Sequence, residues 1–444
     1  MTARTTPERD DRLTADELLG AWPLLAADER AQSMLAAPRD VAEDVFLSVA
    51  AAEQAAIVLE LPPEMRRSWM RLLPPDDAAD LLQATTEEER YGLLALLDDP
   101  TRREVTALLA YAEDRAGGLM NPRFARLRPD ITVDEAISYL RRQSRDVAES
   151  IYYGYVVDDD QRLLGVVSFR ELFASDAKAR VRDVMQVDVV MARDDMEQEA
   201  VSRLFDQHKL LAMPVVDAEG RMKGIVTADD IVDVVREEAT EDIQKIGGTE
   251  ALDAPYLTTK LPKMVRKRVG WLAGLFVSEM LTTTAMSRFE AEISRAVVLA
   301  VFVPLIVSGG GNSGSQASTL VIRAMSLGEV RLRDWFHVIR RELITGLSMG
   351  AILGAIAFSR VELWQALFHS YGVHHMLVAF TIASSVVGVV TWGTLAGSML
   401  PFLLRRAGLD PASASAPFVA TLVDVTGIVI YFTVASIVLR GTLL

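Results

Sequence analysis

The chain has 444 residues, 61 of them acidic and 46 basic, for a formal net charge of -15; half of it is hydrophobic and none of it is cysteine. The acid excess argues against a nucleic-acid partner, which needs basic surface to displace counterions from phosphates. Without cysteine, disulfides, thiolate metal sites and thiol catalysis are excluded.

Charge is not spread evenly. Residues 251–444 hold 10 acids and 16 bases, a net of +6, which leaves 51 acids and 30 bases, a net of -21, in the first 250. Two solvents are implied, water for the acidic part and lipid for the apolar part. The opening run MTARTTPERDDRLTADE is polar throughout, so residues 1–13 are expected to be a disordered tail and no signal peptide is expected.

From residue 14 to about 120 short helices are predicted. Pro62-Pro63, Pro74-Pro75, Thr85-Thr86 and Asp99-Pro100 punctuate the chain about every twelve residues, with leucine stripes between them. That pattern predicts an all-α helical superhelix. In PPDDAADLL, Asp76 and Asp80 stand four apart and so share one helix side, where like charges repel. On helix evidence alone they read first as a solvated face.

Residues 123–236 change period. An amphipathic helix (ITVDEAISYLRRQ), a strand–turn–strand (YYGYVVDDDQRLLGVVSF) and a further helix are followed, about sixty residues on, by the same order again, with LAMPVVDAEGRMKGIVTA as the second hairpin. This internal duplication resembles a tandem pair of CBS domains. In such domains the turn Gly-x-x-Ser/Thr-x-x-Asp can hold a nucleotide ribose. The second copy fits it with Gly224, Thr227 and Asp230, whereas the first has Gly165, Ser168 and Glu171. Tyr152, Tyr153 and Tyr155 could stack an adenine, and an ordinary turn beside a core tyrosine cluster explains the same residues equally well.

Beyond Trp271 lie five apolar stretches of bilayer length, at 269–289, 296–325, 343–363, 376–400 and 416–439. The second contains Gly309, Gly310 and Gly311 and is expected to be broken or kinked there. Bases cluster before the first stretch (Lys260 to Arg268), between the second and third (Arg331 to Arg341) and between the fourth and fifth (Arg405, Arg406). That asymmetry predicts a cytoplasmic N-terminal part and an external C-terminus.

Polar residues inside the stretches carry the function. Asp424 and Glu279 are intramembrane carboxylates, each costing about 3 kcal/mol unless it faces a partner or water. Pro417, Ala420, Thr421, Asp424 and Gly427 share one helix face, and Asn312, Ser313, Ser315 and Gln316 sit together in the second stretch. An acid among amide, hydroxyl and carbonyl oxygens is a hard ligand set, which favours Mg²⁺ or Ca²⁺.

The order of helical array, AGGLMNP, CBS pair and five spans, with the runs ATEDI at 239–243, SGGGNSGSQAST, LPFLLRR, GLDP and PFVATLVDVTG, resembles the MgtE family of magnesium transporters over nearly all of residues 14–440. The resemblance implies a multidomain membrane protein: a helical domain at 14–120, CBS copies at 121–182 and 183–238, a connecting segment with a plug helix at 239–268 running into Trp271 from around Pro255, and five transmembrane spans at 269–444. It further implies a homodimeric Mg²⁺ channel of the cell membrane. Its pore aspartate matches Asp424, with Ala420 and Gly427 beside it, and its mouth aspartate matches Asp410. Asn312, Gln316 and Glu279 join the pathway. The sensing acids match Asp76, Asp80 and Asp242, with Glu241 and Asp114 as further candidates. Tyr153, Ser168, Thr227 and Asp230 are the nucleotide candidates, with ATP as the ligand. Where the family turn reads GN-x-GNQ, this chain has Ser315 in place of the second asparagine.

Two other readings share these residues. An ion-coupled divalent exchanger would use the same pore acids, and a membrane-anchored sensor of Mg²⁺ or nucleotide would need no aligned polar residues in its spans. No nucleophile–base pair or phosphate-binding glycine loop stands out, so an enzyme is not expected.

Overall fold

The computed structural model describes residues 14–146, 152–252, 256 and 259–443. The expected tail at 1–13 and the region of Pro255 lie outside them. The chain forms two compact units, Met1–Glu238 and Ala239–Leu444.

The first unit begins with eight short helices: α1 (Ala15–Ala21), α2 (Ala27–Ala36), α3 (Arg39–Ser48), α4 (Ala51–Glu60), α5 (Pro63–Met70), α6 (Pro75–Gln83), α7 (Glu87–Leu94) and α8 (Asp99–Leu108). The predicted punctuation is chemical. Pro63 and Pro75 occupy first-turn positions, where the missing N–H has no intrahelical partner to lose. Thr86 caps α7 in a reciprocal box with Glu89. Alternate helices pack on one another, α2 on α4, α4 on α6 and α6 on α8, which is the superhelix the spacing predicts. Phe46 and Trp69 meet edge to face at 5.1 Å in the core, and truncating either to alanine would cost about 3–5 kcal/mol.

A short helix, α9 (Ala116–Leu119), joins the array to the duplicated part. Its Ala116 and Gly117 N–H groups donate to Met196 O at 2.8 Å and Asp194 O at 3.0 Å. The array and the second copy therefore share one apolar core, running from Phe46 and Trp69 to Phe205 and Val226.

The two copies repeat each other. In the first, β1 (Arg126–Leu127), α10 (Val133–Asp146), β2 (Tyr153–Val157), β3 (Leu163–Ser168) and the short helices α11 (Phe169–Ala174) and α12 (Val181–Val184) follow in order. In the second come β4 (Ala192–Arg193), α13 (Gln198–His208), β5 (Ala212–Val216), β6 (Met222–Thr227) and α14 (Ala228–Ile246). Each sheet pairs its first strand parallel and its last antiparallel to the middle one, with a register shift at the same place. The two-residue opening strands are too short to show a period and were not legible in the sequence.

The second unit is helical: α15 (Leu261–Arg288), α16 (Glu290–Arg295), α17 (Val297–Ser326), α18 (Trp335–Phe368), α19 (His375–Arg406) and α20 (Ala416–Val438). Among the described residues, five of these helices are long and apolar enough to cross a membrane. One expectation is corrected here. The glycines at 309–311 do not break the second span, because α17 runs unbroken through them. They permit close helix approach instead. A side chain at Gly310 would strike Val423 at 2.8 Å, and one at Gly314 would strike Gly393 O at 2.9 Å. On α18, Gly350 and Gly354 lie as closely on Val387 and Ala383 of α19, the small-residue spacing by which membrane helices pack.

Candidate cation pathway and ligand cavity

Asp424 lies mid-way along α20, and α17 presents bare backbone to it. A methyl group at Gly311 would stand 3.4 Å from the Ala420 side chain and 3.5 Å from the Asp424 carboxylate. Glu279 on α15 is the charged neighbour that acts on Asp424. Among the described residues no basic side chain forms an ion pair with either acid, so neither is neutralised inside the bundle.

The polar residues of α17 divide by face. Ser313 Oγ donates to Gly310 O at 2.9 Å and Val390 O at 3.2 Å, and Ser318 Oγ to Ala414 O at 2.9 Å; both serines are buried staples. Ser315 Oγ donates to Ala416 O at 3.0 Å, tying α17 to the start of α20. Ser315 thus holds two helices together. Asn312 and Gln316 point out of the single chain, with the Asn312 amide donating to Ser308 Oγ at 3.3 Å. Gly427 is buried against Val389 of α19 and serves packing in this chain.

At one end of the bundle, Asp410 caps its own turn through Ala412 N at 2.8 Å and accepts from Lys245 Nζ at 2.6 Å. Lys245 also pairs with Glu241. Burial alone would lower the Lys245 ammonium; the hydrogen bonds and charges of Asp410 and Glu241 outweigh it and raise it. Asp242 accepts from Ser326 Oγ at 3.0 Å. Two predicted metal residues, Glu241 and Asp410, therefore meet on a lysine that sequence reasoning passed over, while a third, Asp242, is held by Ser326.

In the first unit Asp76 and Asp80 part company. Asp76 is buried and accepts from the Asn121 amide at 3.2 Å. Asp80 is pushed up to about 8, first by burial and then by the charges of Asp77, Asp230, Glu113 and Glu237. The neighbour from the AGGLM approach is thus Glu113, whereas Asp114 is exposed and pairs with Arg115 at 3.6 Å. Only tertiary packing could show which of these acids crowd together.

The same unit holds a cavity of about 630 Å³, of nucleotide size, lined by Tyr153, Tyr155, Phe124, Arg126, Thr227 and Asp230 among others. Tyr153 and Thr227 stand at matching ends of the two hairpins, paired with Ser168 and Ala212 respectively. Thr227 Oγ1 donates to Asp230 at 2.6 Å. Burial raises Asp230 to about 7 against the lowering by its Thr227 hydrogen bonds, with Asp229 and Asp77 adding to the rise. Tyr155 OH is buried with no hydrogen-bond partner among the described residues. Arg126 lies over the Phe124 ring at 4.5 Å. Ser168 is not among the lining residues; it caps α11 in a box with Glu171. The run from Asn121 to Arg126, straight after AGGLM, was the signal missed.

Five apolar helices, an unneutralised carboxylate between them and a CBS-like pair define a membrane protein of the cation-transporter class. Family models agree: "MgtE: divalent cation transporter" matches residues 303–434, "MgtE intracellular N domain" 15–114, and the CBS domain 116–178 and 181–237. The magnesium transporter MgtE of Thermus thermophilus is 40% identical over 97% of this chain and 94% of its own. Its counterpart in Enterococcus faecalis is 34% identical over 76% of this chain and 72% of its own. A crystal structure of the cytosolic domain of the Mg²⁺ channel MgtE in complex with ATP is 42% identical, covers 50% of this chain and 90% of that one, and has a TM-score of 0.47. The chain belongs to the MgtE family of magnesium transporters.

Proposed function

We propose that this protein carries Mg²⁺ across the cell membrane through a pathway at Asp424, and that cytosolic Mg²⁺ closes it. The observation that carries the reading is the Asp424 carboxylate, set against the bare backbone of Gly311, with Glu279 near and no basic partner among the described residues. Mg²⁺ sheds water reluctantly. A pathway of carboxylate, amide and carbonyl oxygens therefore recognises it still hydrated, and a negative field suffices to select a cation over an anion.

A homodimer completes this site. In the single chain α15 buries none of its residues, and Asn312 and Gln316 on α17 face outward. A second copy would cover both faces and bring two Asp424 carboxylates to one axis. The distribution of basic residues supports an N-terminus in the cytoplasm and a C-terminus outside.

For closure, the ligands we assign are Asp76, Asp80 and their acidic neighbours in the first unit, and Glu241, Asp242 and Asp410 in the second. Crowded carboxylates repel until a divalent ion bridges them, so Mg²⁺ shifts the population toward whichever state brings them together. ATP is assigned to the 630 Å³ cavity: aromatic faces for the base, Thr227 and Asp230 for the ribose, and Arg126 for phosphate.

The test is Mg²⁺ influx into liposomes. Asp424→Asn, close in shape but uncharged, should lose at least about 100-fold in flux, a few kcal/mol of lost charge stabilisation, while the protein still purifies as the same oligomer. Parental flux in that variant would remove Asp424 from the pathway.

A further inference from the structure

The outer face of α18 ends in a chemistry that the transport pathway does not use. Within the bundle α18 packs chiefly along α19 through its glycine face, and its remaining sides are open. Ile344 is 58% exposed, Ile352 63% and Ile356 61%, apolar side chains within about a third of the helix circumference, of the kind that acyl chains cover. One turn before Ile344 stand Arg340 and Arg341, both exposed. Trp335 and Phe336, exposed and edge to face at 5.9 Å, begin the helix. The last turn of α19 brings Arg405 and Arg406 to the same end, because Val330 and Val338 pack with Phe402 and Met399. Among the described residues no carboxylate forms an ion pair with Arg340, Arg341, Arg405 or Arg406, although the Glu342 carboxylate is near enough to act electrostatically on Arg341.

We propose that this end of α18 is a headgroup site for anionic phospholipid, resting on the membrane placement of the bundle. A lipid phosphodiester supplies the acceptors that the guanidinium forks lack, and guanidinium binds phosphate in two-pronged geometry. The amphipathic Trp335 occupies the interfacial layer, as tryptophans at bilayer boundaries do. The apolar side chains below seat one acyl chain. Charge complementarity selects the anionic lipid: a zwitterionic headgroup carries its own cation and gains less from a cluster of four arginines with one carboxylate, Glu342, beside it. A second copy of the chain is the other conceivable occupant. The faces that a partner would complete lie on α15 and α17, whereas this one is on α18, away from both, since α18 packs chiefly on α19.

The lack of cysteine makes the test direct. Ile344→Cys carries the sole thiol, is labelled with bimane, and is reconstituted in full-length protein with brominated phosphatidylglycerol or brominated phosphatidylcholine at equal mole fraction. Phosphatidylglycerol should quench at least about twofold more strongly, since each arginine near the headgroup plane favours an anionic lipid about fivefold. Replacing Arg340, Arg341, Arg405 and Arg406 together by glutamine should erase the difference, and Arg340→Gln with Arg341→Gln should remove only part of it. Equal quenching in the parental arginine background overturns the proposal without any arginine variant. Weak quenching by both lipids, with a disulfide forming between copies through Cys at 344, assigns the face to a second copy and overturns it too.

Discussion

Gly311 on α17 stands against Asp424 on α20 with only 3.5 Å between a would-be methyl group and the carboxylate oxygen. The backbone of one helix thereby forms a wall of the site that the other helix charges. A larger residue would fill the space a hydrated ion needs.

Glycine contacts in this bundle separate into two kinds, which gives a first prediction. Gly311→Ala meets ordinary van der Waals distances, so the protein should keep its thermal midpoint and lose Mg²⁺ flux. Gly397 faces the Gly314 backbone with no room for a methyl group. Gly397→Ala should therefore cost about 1–3 kcal/mol, read as a lowered midpoint in detergent. Equal midpoints for the two variants would refute this division of labour.

A tethered ammonium sits where a divalent ion is proposed to act. Lys245 bridges Glu241 and Asp410, the latter at 2.6 Å. Lys245→Gln frees two carboxylates and removes their competitor, so half-maximal closure should need roughly threefold less Mg²⁺ or lower still. Flux measured against cytosolic-side Mg²⁺ decides it. A variant that needs as much Mg²⁺ as the parent, or more, makes Lys245 a plain staple.

Asp80 fixes the sign of a pH dependence. Its carboxyl stands at about 8 against an ordinary 3.8, through burial first and then Asp77, Asp230, Glu113 and Glu237. A folded state that holds a proton more tightly than the unfolded chain loses stability as pH rises through that window. Mg²⁺, which binds the ionised form, opposes the loss. The midpoint of a fragment ending after Ile246 should thus fall between about pH 6 and about pH 8.5 without Mg²⁺, and Mg²⁺ should raise it more at the higher pH. Asp80→Asn should weaken both trends, leaving the part that Asp230, raised to about 7, contributes with the same sign. A parent fragment with the same Mg²⁺ response at both pH values takes Asp80 out of the sensing set.

For the cavity, ATP at about a hundred times its dissociation constant should stabilise that fragment by about 2.7 kcal/mol. Asp230→Ala should abolish the shift and Ser168→Ala should leave it, because Ser168 caps a helix outside the cavity. The reverse pattern would move the nucleotide to the other copy.

How much of this was legible beforehand depends on distance along the chain. The five spans, the punctuated array and the duplicated hairpins are local patterns, set by runs of apolar side chains, first-turn prolines and period-two alternation, so the sequence alone determined them. Asp424 was conspicuous for the same reason, a charge in an apolar run. The glycines of α17 misled because glycine weakens an isolated helix, whereas in a bundle the close approach it allows outweighs that weakness. Pairings such as Asn121 with Asp76, Lys245 with Asp410 and Ser315 with Ala416 join residues 45, 165 and 101 positions apart. No local pattern encodes them. The acids that crowd Asp80, the side chains that enclose the cavity and the face of α17 left uncovered were decided only by tertiary packing, since burial and Coulomb forces act through space.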